Sequence, residues 1–155
     1  MPRQHTLRLF LGDQLDENHD WFKQPDKTVT YVLMEIRQET DYVAHHIQKV
    51  AAFFAAMRAF ADRLGEVGHQ VIYLKLDNPK NRQTIEANIA DLIQREKFTR
   101  FEYLLPDEQR LDLQLRKLAE VLAVPVQALD SQHFLTESQE LKNFFAGKKR
   151  YLMES

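Results

Sequence analysis

The sequence predicts an α/β fold: a single Rossmann-like or flavodoxin-like domain with a five-stranded parallel sheet flanked by helices. Three observations lead there. Short apolar or β-branched runs of strand length recur along the 155 residues, amphipathic stretches with helical spacing lie between them, and no linker, internal repeat or low-complexity tract divides the chain. Alternating strands and helices favour parallel pairing, because each crossover must pass over a face of the sheet. A chain of this length fits one domain, residues 1–155, burying roughly 70% of the surface its unfolded form exposes.

In order, Leu7 to Leu11 reads as the first strand. A long polar connection, Gly12 to Thr28, follows with Trp21-Phe22 at its middle, and connections of that length are often functional. Val29 to Met34 is the second strand, closed by the carboxylate of Glu35. Asp41 to Leu64 reads as one long helix with Asp41 as a cap, and Gln70 to Leu76 as the third strand. Arg82 to Glu96 is a helix with Thr84 as a cap, Arg100 to Leu105 a strand, Asp107 to Ala123 a helix and Pro125 to Leu129 the fifth strand. A last helix, from about Glu137 to Ala146, follows Phe134-Leu135, with Thr136 as a cap.

Composition narrows function by exclusion. A net charge of −2 argues against a dedicated nucleic-acid binder, which needs concentrated Lys and Arg; Lys148-Lys149-Arg150 is only a short basic run, a solvated helix end or a phosphate contact. The absence of cysteine removes disulfides, thiolate-held zinc and iron-sulfur clusters from this chain and suits a reducing compartment. No signal peptide is evident and no apolar run approaches the roughly 18 residues of a membrane span, so the chain reads as cytoplasmic. His45 and His46 are neighbours and point apart on a helix, and His5, His19, His69 and His133 are scattered, so no metal site is expected. Serine occurs only at Ser131, Ser138 and Ser155, with no G-x-S-x-G, and no catalytic nucleophile is expected.

In doubly wound sheets ligands lie outside the carboxyl ends of the strands. Asp13, after the first strand, and Glu35, after the second, should therefore stand close together on that edge. The chain has four glycines and no G-x-G-x-x-G, which argues against a pyrophosphate cradle. Gly12 suits a sharp turn or a close approach to a ligand, while Asp13 and Gln14 offer donors and acceptors; a turn with a capping Asp is the alternative. On the long helix, Val43, Ile47, Val50, Phe54, Met57, Ala61 and Leu64 form a stripe expected to face the sheet. Beside it run Glu39, Tyr42, His46, Lys49, Phe53 and Phe60, polar near the crevice and aromatic beyond, which would suit a planar polar ligand. The alternative is a wider core face with surface pairs worth at most a few tenths of a kcal/mol.

Leu11-Gly-Asp-Gln-Leu15, Val32-Leu-Met-Glu35, Glu39-x-x-Tyr42-x-x-His45-His46-x-x-Lys49, Ala56-Met-Arg58, Pro106-x-Glu108-x-Arg110, Phe134-Leu135 and Leu152-Met-Glu154 together resemble the N-terminal domain of the photolyase-related proteins. These are the bacterial (6-4) photolyases and cryptochromes that carry an iron-sulfur cluster, and the resemblance covers the whole chain in order. It implies an α/β antenna domain holding 6,7-dimethyl-8-ribityllumazine, which absorbs near-ultraviolet or blue light and passes the excitation to a flavin. A larger helical C-terminal domain would hold that FAD, the 4Fe-4S cluster and the damaged DNA. The implied chromophore site comprises Gly12, Asp13, Gln14, Leu15, Glu35, Glu39, Tyr42, His46, Lys49 and Phe53, with Glu39 foremost for the heterocycle or its ribityl chain. Three positions depart from the family's pattern. Phe53 stands where a smaller aliphatic residue is usual and would narrow the site or exchange the chromophore; Gln109 replaces a usual Trp and Ala59 a usual His.

In the family Leu-Met-Glu continues towards the helical domain, whereas this sequence ends at Ser155, so no photolyase activity is expected of it alone. Three readings remain: an antenna domain of a photolyase-like or cryptochrome-like DNA-repair or photoreceptor flavoprotein, a chromophore-free docking module of the same fold, and a small enzyme using Asp13, Glu35 and His46 for acid-base work. Phe144, Phe145, Lys148 to Arg150, Tyr151 and Leu152 are expected to dock against a following domain. In isolation that end would self-associate or fray.

Overall fold

The computed structural model describes residues 5–132, 134, 136 and 138–147; the expectations for 148–152 lie outside them. Strands β1 (Thr6–Leu9), β2 (Val29–Met34), β3 (Gln70–Leu74), β4 (Arg100–Leu104) and β5 (Val126–Leu129) form one all-parallel sheet in the order β3-β2-β1-β4-β5. The helices are α1 (Arg37–Asp41), α2 (Ile47–Glu66), α3 (Ile85–Glu96), α4 (Gln109–Val121) and α5 (Ser138–Phe145), with a 3-10 turn at Asp20–Phe22. This is the α/β fold that the alternation predicts. β2 spans its predicted residues and β5 ends where predicted, while β1, β3 and β4 end one or two residues before the predicted Leu11, Leu76 and Leu105; Leu11 and Leu105 still pack on the core.

Strand alternation sorts the core into two layers. Leu7, Leu9, Val32, Met34, Phe101 and Tyr103 pack with Ile89 and Leu92 of α3 and Leu111 and Leu115 of α4. Tyr31 and Leu33, joined by Phe10 just past β1, pack on the opposite face with Trp21, Phe22 and Met57, Phe60 and Leu64 of α2. The division follows from topology: the connections from β1 through β3 run towards one edge and those from β3 through β5 towards the other, and right-handed crossovers put the two sets on opposite faces. With both faces covered, β2 is buried along its whole length.

The predicted single helix over Asp41 to Leu64 is two helices. α1 ends at Asp41, and α2 starts at Ile47 behind His46, whose Nδ1 accepts a hydrogen bond from the Gln48 amide at 3.2 Å, so His46 and not Asp41 is the cap. The sheet explains the break. Gln38 of α1 exchanges amide hydrogen bonds with Gln114 of α4 at 2.8 and 3.0 Å and accepts one from the Ile85 amide, while α2 packs on the opposite face. Between them the chain crosses the carboxyl edge of the sheet, which a straight helix could not do. Val43 and Ile47, expected to face the sheet, are therefore exposed, Ile47 by 74%, and Phe60, expected as a cleft wall, is core. Thr84 caps α3 as predicted, its side chain accepting from the Ala87 amide.

Candidate functional site

The connections change direction across the sheet between β1 and β4, so the crevice lies beyond the carboxyl ends of those strands. A cavity of about 220 Å³ opens there. Its base is apolar, built by Leu9, Phe10, Met34, Ile36, Ile85 and Leu111. One wall is α2, with Val50, Phe53, Phe54 and Met57, and the rim is polar, with Asp13, Glu39, Thr40, Tyr42, His45, Lys49 and Glu108.

Of the residues predicted for the site, Gly12, Asp13, Glu39, Tyr42, Lys49 and Phe53 line this cavity. Gly12 is there because α2 packs on its backbone: a Cβ would stand 2.5 Å from Phe53 Cε1 and 2.8 Å from Met57 Sδ. The remaining predicted residues do other work. Gln14 is 4% exposed and spends both ends of its amide on backbone, Oε1 accepting from the Leu11 amide at 2.9 Å and Nε2 donating to the Leu105 carbonyl at 3.0 Å. It staples the ends of β1 and β4 together beneath the crevice. Leu15 packs against the α2-side core, and His46 is occupied as the cap of α2, so the histidine on the cavity is its neighbour His45, set edge-on to Tyr42.

Glu35 is fully buried and does not reach the cavity. Strand alternation turns it to the α2 face, where Arg58 donates to both of its oxygens at 2.6 and 2.9 Å, the Tyr73 hydroxyl donates at 2.7 Å and the Leu76 amide at 2.9 Å. Burial pushes its carboxyl up, but the hydrogen bonds from Arg58, Leu76 and Tyr73 outweigh it and hold the group below the ordinary carboxylate range. Burial, and then Glu35 itself, push the Tyr73 phenol up. Glu35 is thus an ionised tie between β2, α2 and β3, and the acid-base reading loses its base to solvent-free packing.

Arg110, quoted above only as part of a motif, organises the rim from behind. Its Nη1 and Nη2 donate to Glu39 Oε1 and Oε2 at 3.1 and 2.9 Å, Nε and Nη2 donate to Glu108 at 2.7 and 3.1 Å, and its guanidinium lies 4.4 Å from the centre of the Tyr42 ring. The hydrogen bonds to Glu39, then to Glu108, push its pKa up. The spacing of Glu108 and Arg110 is a local signal; Glu39, 71 residues away, is not. Among the described residues, no group of three His, Asp or Glu side chains converges to hold a metal ion.

An amphipathic cavity at the switch point of a parallel sheet is the architecture in which α/β domains hold small ligands without a glycine-rich phosphate loop. The family model described as deoxyribodipyrimidine photo-lyase-related protein matches residues 8–155, and the chain belongs to that family. A (6-4) photolyase of Agrobacterium fabrum (strain C58 / ATCC 33970) is 32% identical over 149 residues, which cover 96% of this chain and 29% of the relative. The chain therefore spans less than a third of that photolyase. No described helix is long and apolar enough to cross a membrane.

Proposed function

We propose that this chain is the light-harvesting antenna domain of a (6-4) photolyase-like or cryptochrome-like flavoprotein of the cytoplasm, and that its cavity takes 6,7-dimethyl-8-ribityllumazine. The observation that supports this reading most is the cavity's division into an apolar base and a polar rim, which suits a flat heterocycle carrying a polyol. Tyr42 and Phe53 would flank the ligand, and Asp13, Glu39, Thr40 and Lys49 would meet its polar groups. Bound, the lumazine would supply absorption and transfer of excitation. FAD, the 4Fe-4S cluster and damaged DNA would belong to a helical C-terminal domain of a longer protein, as the family resemblance implies; the chain covers 29% of the (6-4) photolyase it matches.

A second reading, a docking module without chromophore, is favoured by one observation. Phe53 and Met57 pack on Gly12, and the 220 Å³ that remain fall below the roughly 300 Å³ at which ligand pockets usually begin. Phe53 is 42% exposed, so its ring has room to move aside. Titrating the purified chain with the lumazine, followed by absorption and fluorescence, separates the readings. Saturable binding supports the antenna; a colourless chain that never saturates leaves the docking module. Glu39→Ala should weaken lumazine binding by about 1–3 kcal/mol with the fold intact, and an unchanged affinity would remove Glu39 from the site.

A further inference from the structure

We infer that Arg110 is the positioning residue of the cavity: from outside the lining it clamps Glu39 and Tyr42, and so holds the α1–α2 turn as the movable wall past which a ligand enters and leaves. The inference rests on the antenna reading only for the identity of that ligand.

The two walls differ in what holds them. α2 is twenty residues long and buries Met57, Phe60, Ala61 and Leu64. α1 has five residues, too few to be stable on its own, and buries none of them. Beyond Ile36, which is buried in the core at its N-terminal end, its place is set by polar ties. Arg37 and Gln38 donate their amides to the side chain and carbonyl of Gln83, Gln38 pairs with Gln114, and Glu39 is gripped by Arg110. The last is the charged tie. It is also the one that reaches the rim, because the same guanidinium lies over the ring of Tyr42, a residue that remains 54% exposed.

The grip decides what Glu39 can offer. A carboxylate has about four acceptor positions. Two are taken by Arg110 and one by the Gln38 Nε2, which donates to Oε1 at 2.9 Å, so about one remains for a ligand and its direction is fixed. Charge acts in the same sense. Asp13, Glu39 and Glu108 surround the cavity with Lys49 and His45, and without Arg110 the carboxylates of Glu39 and Glu108 would face each other uncompensated. Glu39 would then swing outward and take α1 with it.

Hydrogen exchange on the ligand-free 155-residue chain tests this directly. In Arg110→Gln the amides of Arg37, Gln38 and Glu39 should exchange about tenfold faster or more, while those of Val32 and Leu33 in β2 stay as they were. Arg110→Lys, which keeps the charge without the fork, should leave most of that loss in place, and it carries the comparison if Arg110→Gln does not fold. Glu39→Gln added to Arg110→Gln should return part of the lost protection by removing the repulsion from Glu108, whereas alone it should cost protection, because the two groups act through each other. Unchanged exchange at 37–39, a loss shared by β2, or additive effects of the two substitutions would overturn the inference. With the lumazine as probe, Arg110→Gln should raise the dissociation rate about tenfold. A wild-type chain that binds no lumazine would sink the antenna reading, while the exchange data would still decide the role of Arg110.

Discussion

Glu35 and Glu39 are four residues apart and have opposite fates. Glu35 is a structural anion, so Glu35→Gln should cost about 2–3 kcal/mol of stability, read by urea unfolding, and leave lumazine affinity unchanged. Its carboxyl titrates lower folded than unfolded. The stability it contributes is therefore complete above its ordinary value of 4.5 and is lost as the pH falls through the lower folded value. Phe53 is by contrast partly exposed and lines the cavity. Being 42% exposed, it should tolerate Phe53→Ile at a cost of roughly 1 kcal/mol or less, while the vacated space against Gly12 raises lumazine affinity. A large drop in melting temperature with no gain in binding would show Phe53 to be part of the core. Gly12→Ala should do the reverse, since its Cβ would enter the space of the Phe53 ring.

The 3-10 turn of Asp20–Phe22 covers the part of the α2-side face that α2 leaves open. Trp21 accepts a hydrogen bond at its carbonyl from the Tyr31 hydroxyl and lies 4.7 Å from the Arg8 guanidinium, itself paired with Glu102 at 2.8 Å across the neighbouring strand. The turn is capped by His19, whose Nδ1 accepts from the Trp21 amide at 3.1 Å. Burial holds the His19 imidazole below its ordinary 6.5 although Asp20, Asp130 and Asp16 pull it up. A depressed value in the folded state means that this contribution is complete above 6.5 and is lost as the pH falls from there through the folded value. His19→Asn keeps an acceptor for the cap and should flatten the fall in stability between about pH 7.5 and pH 5.5, measured by urea unfolding; an unchanged slope would assign it to other groups.

At the scale of the whole molecule, a ligand that binds only the folded chain stabilises it by mass action. At a hundredfold excess over Kd the lumazine should add about 2.7 kcal/mol, raising Tm by roughly 5–10 °C for a chain of this size. The shift should be absent for a lumazine-sized polyol without the ring, since only the ring can use the apolar base of the cavity. A Tm that does not move at any lumazine concentration would favour the docking module.

Periodicity and turn chemistry determined by themselves that this is one α/β domain with a parallel sheet, and strand order of that class directs attention to the carboxyl edge where the cavity lies. They placed Gly12, Asp13, Glu39, Tyr42, Lys49 and Phe53 near that edge, where these line the cavity, and by the same reasoning Gln14, Glu35 and His46, which do not. Only tertiary structure decided the rest. Nothing local distinguishes Tyr42 to His46 from more helix; the break exists because α1 is tied to α4 on one face while α2 covers the other. Likewise Glu35 is withdrawn from the edge by Arg58, Tyr73 and Leu76, and Glu39 is held at it by Arg110. Periodicity tells which residues share a face; which face meets solvent, and which distant charge closes over a carboxylate, is set by packing between segments far apart in the chain.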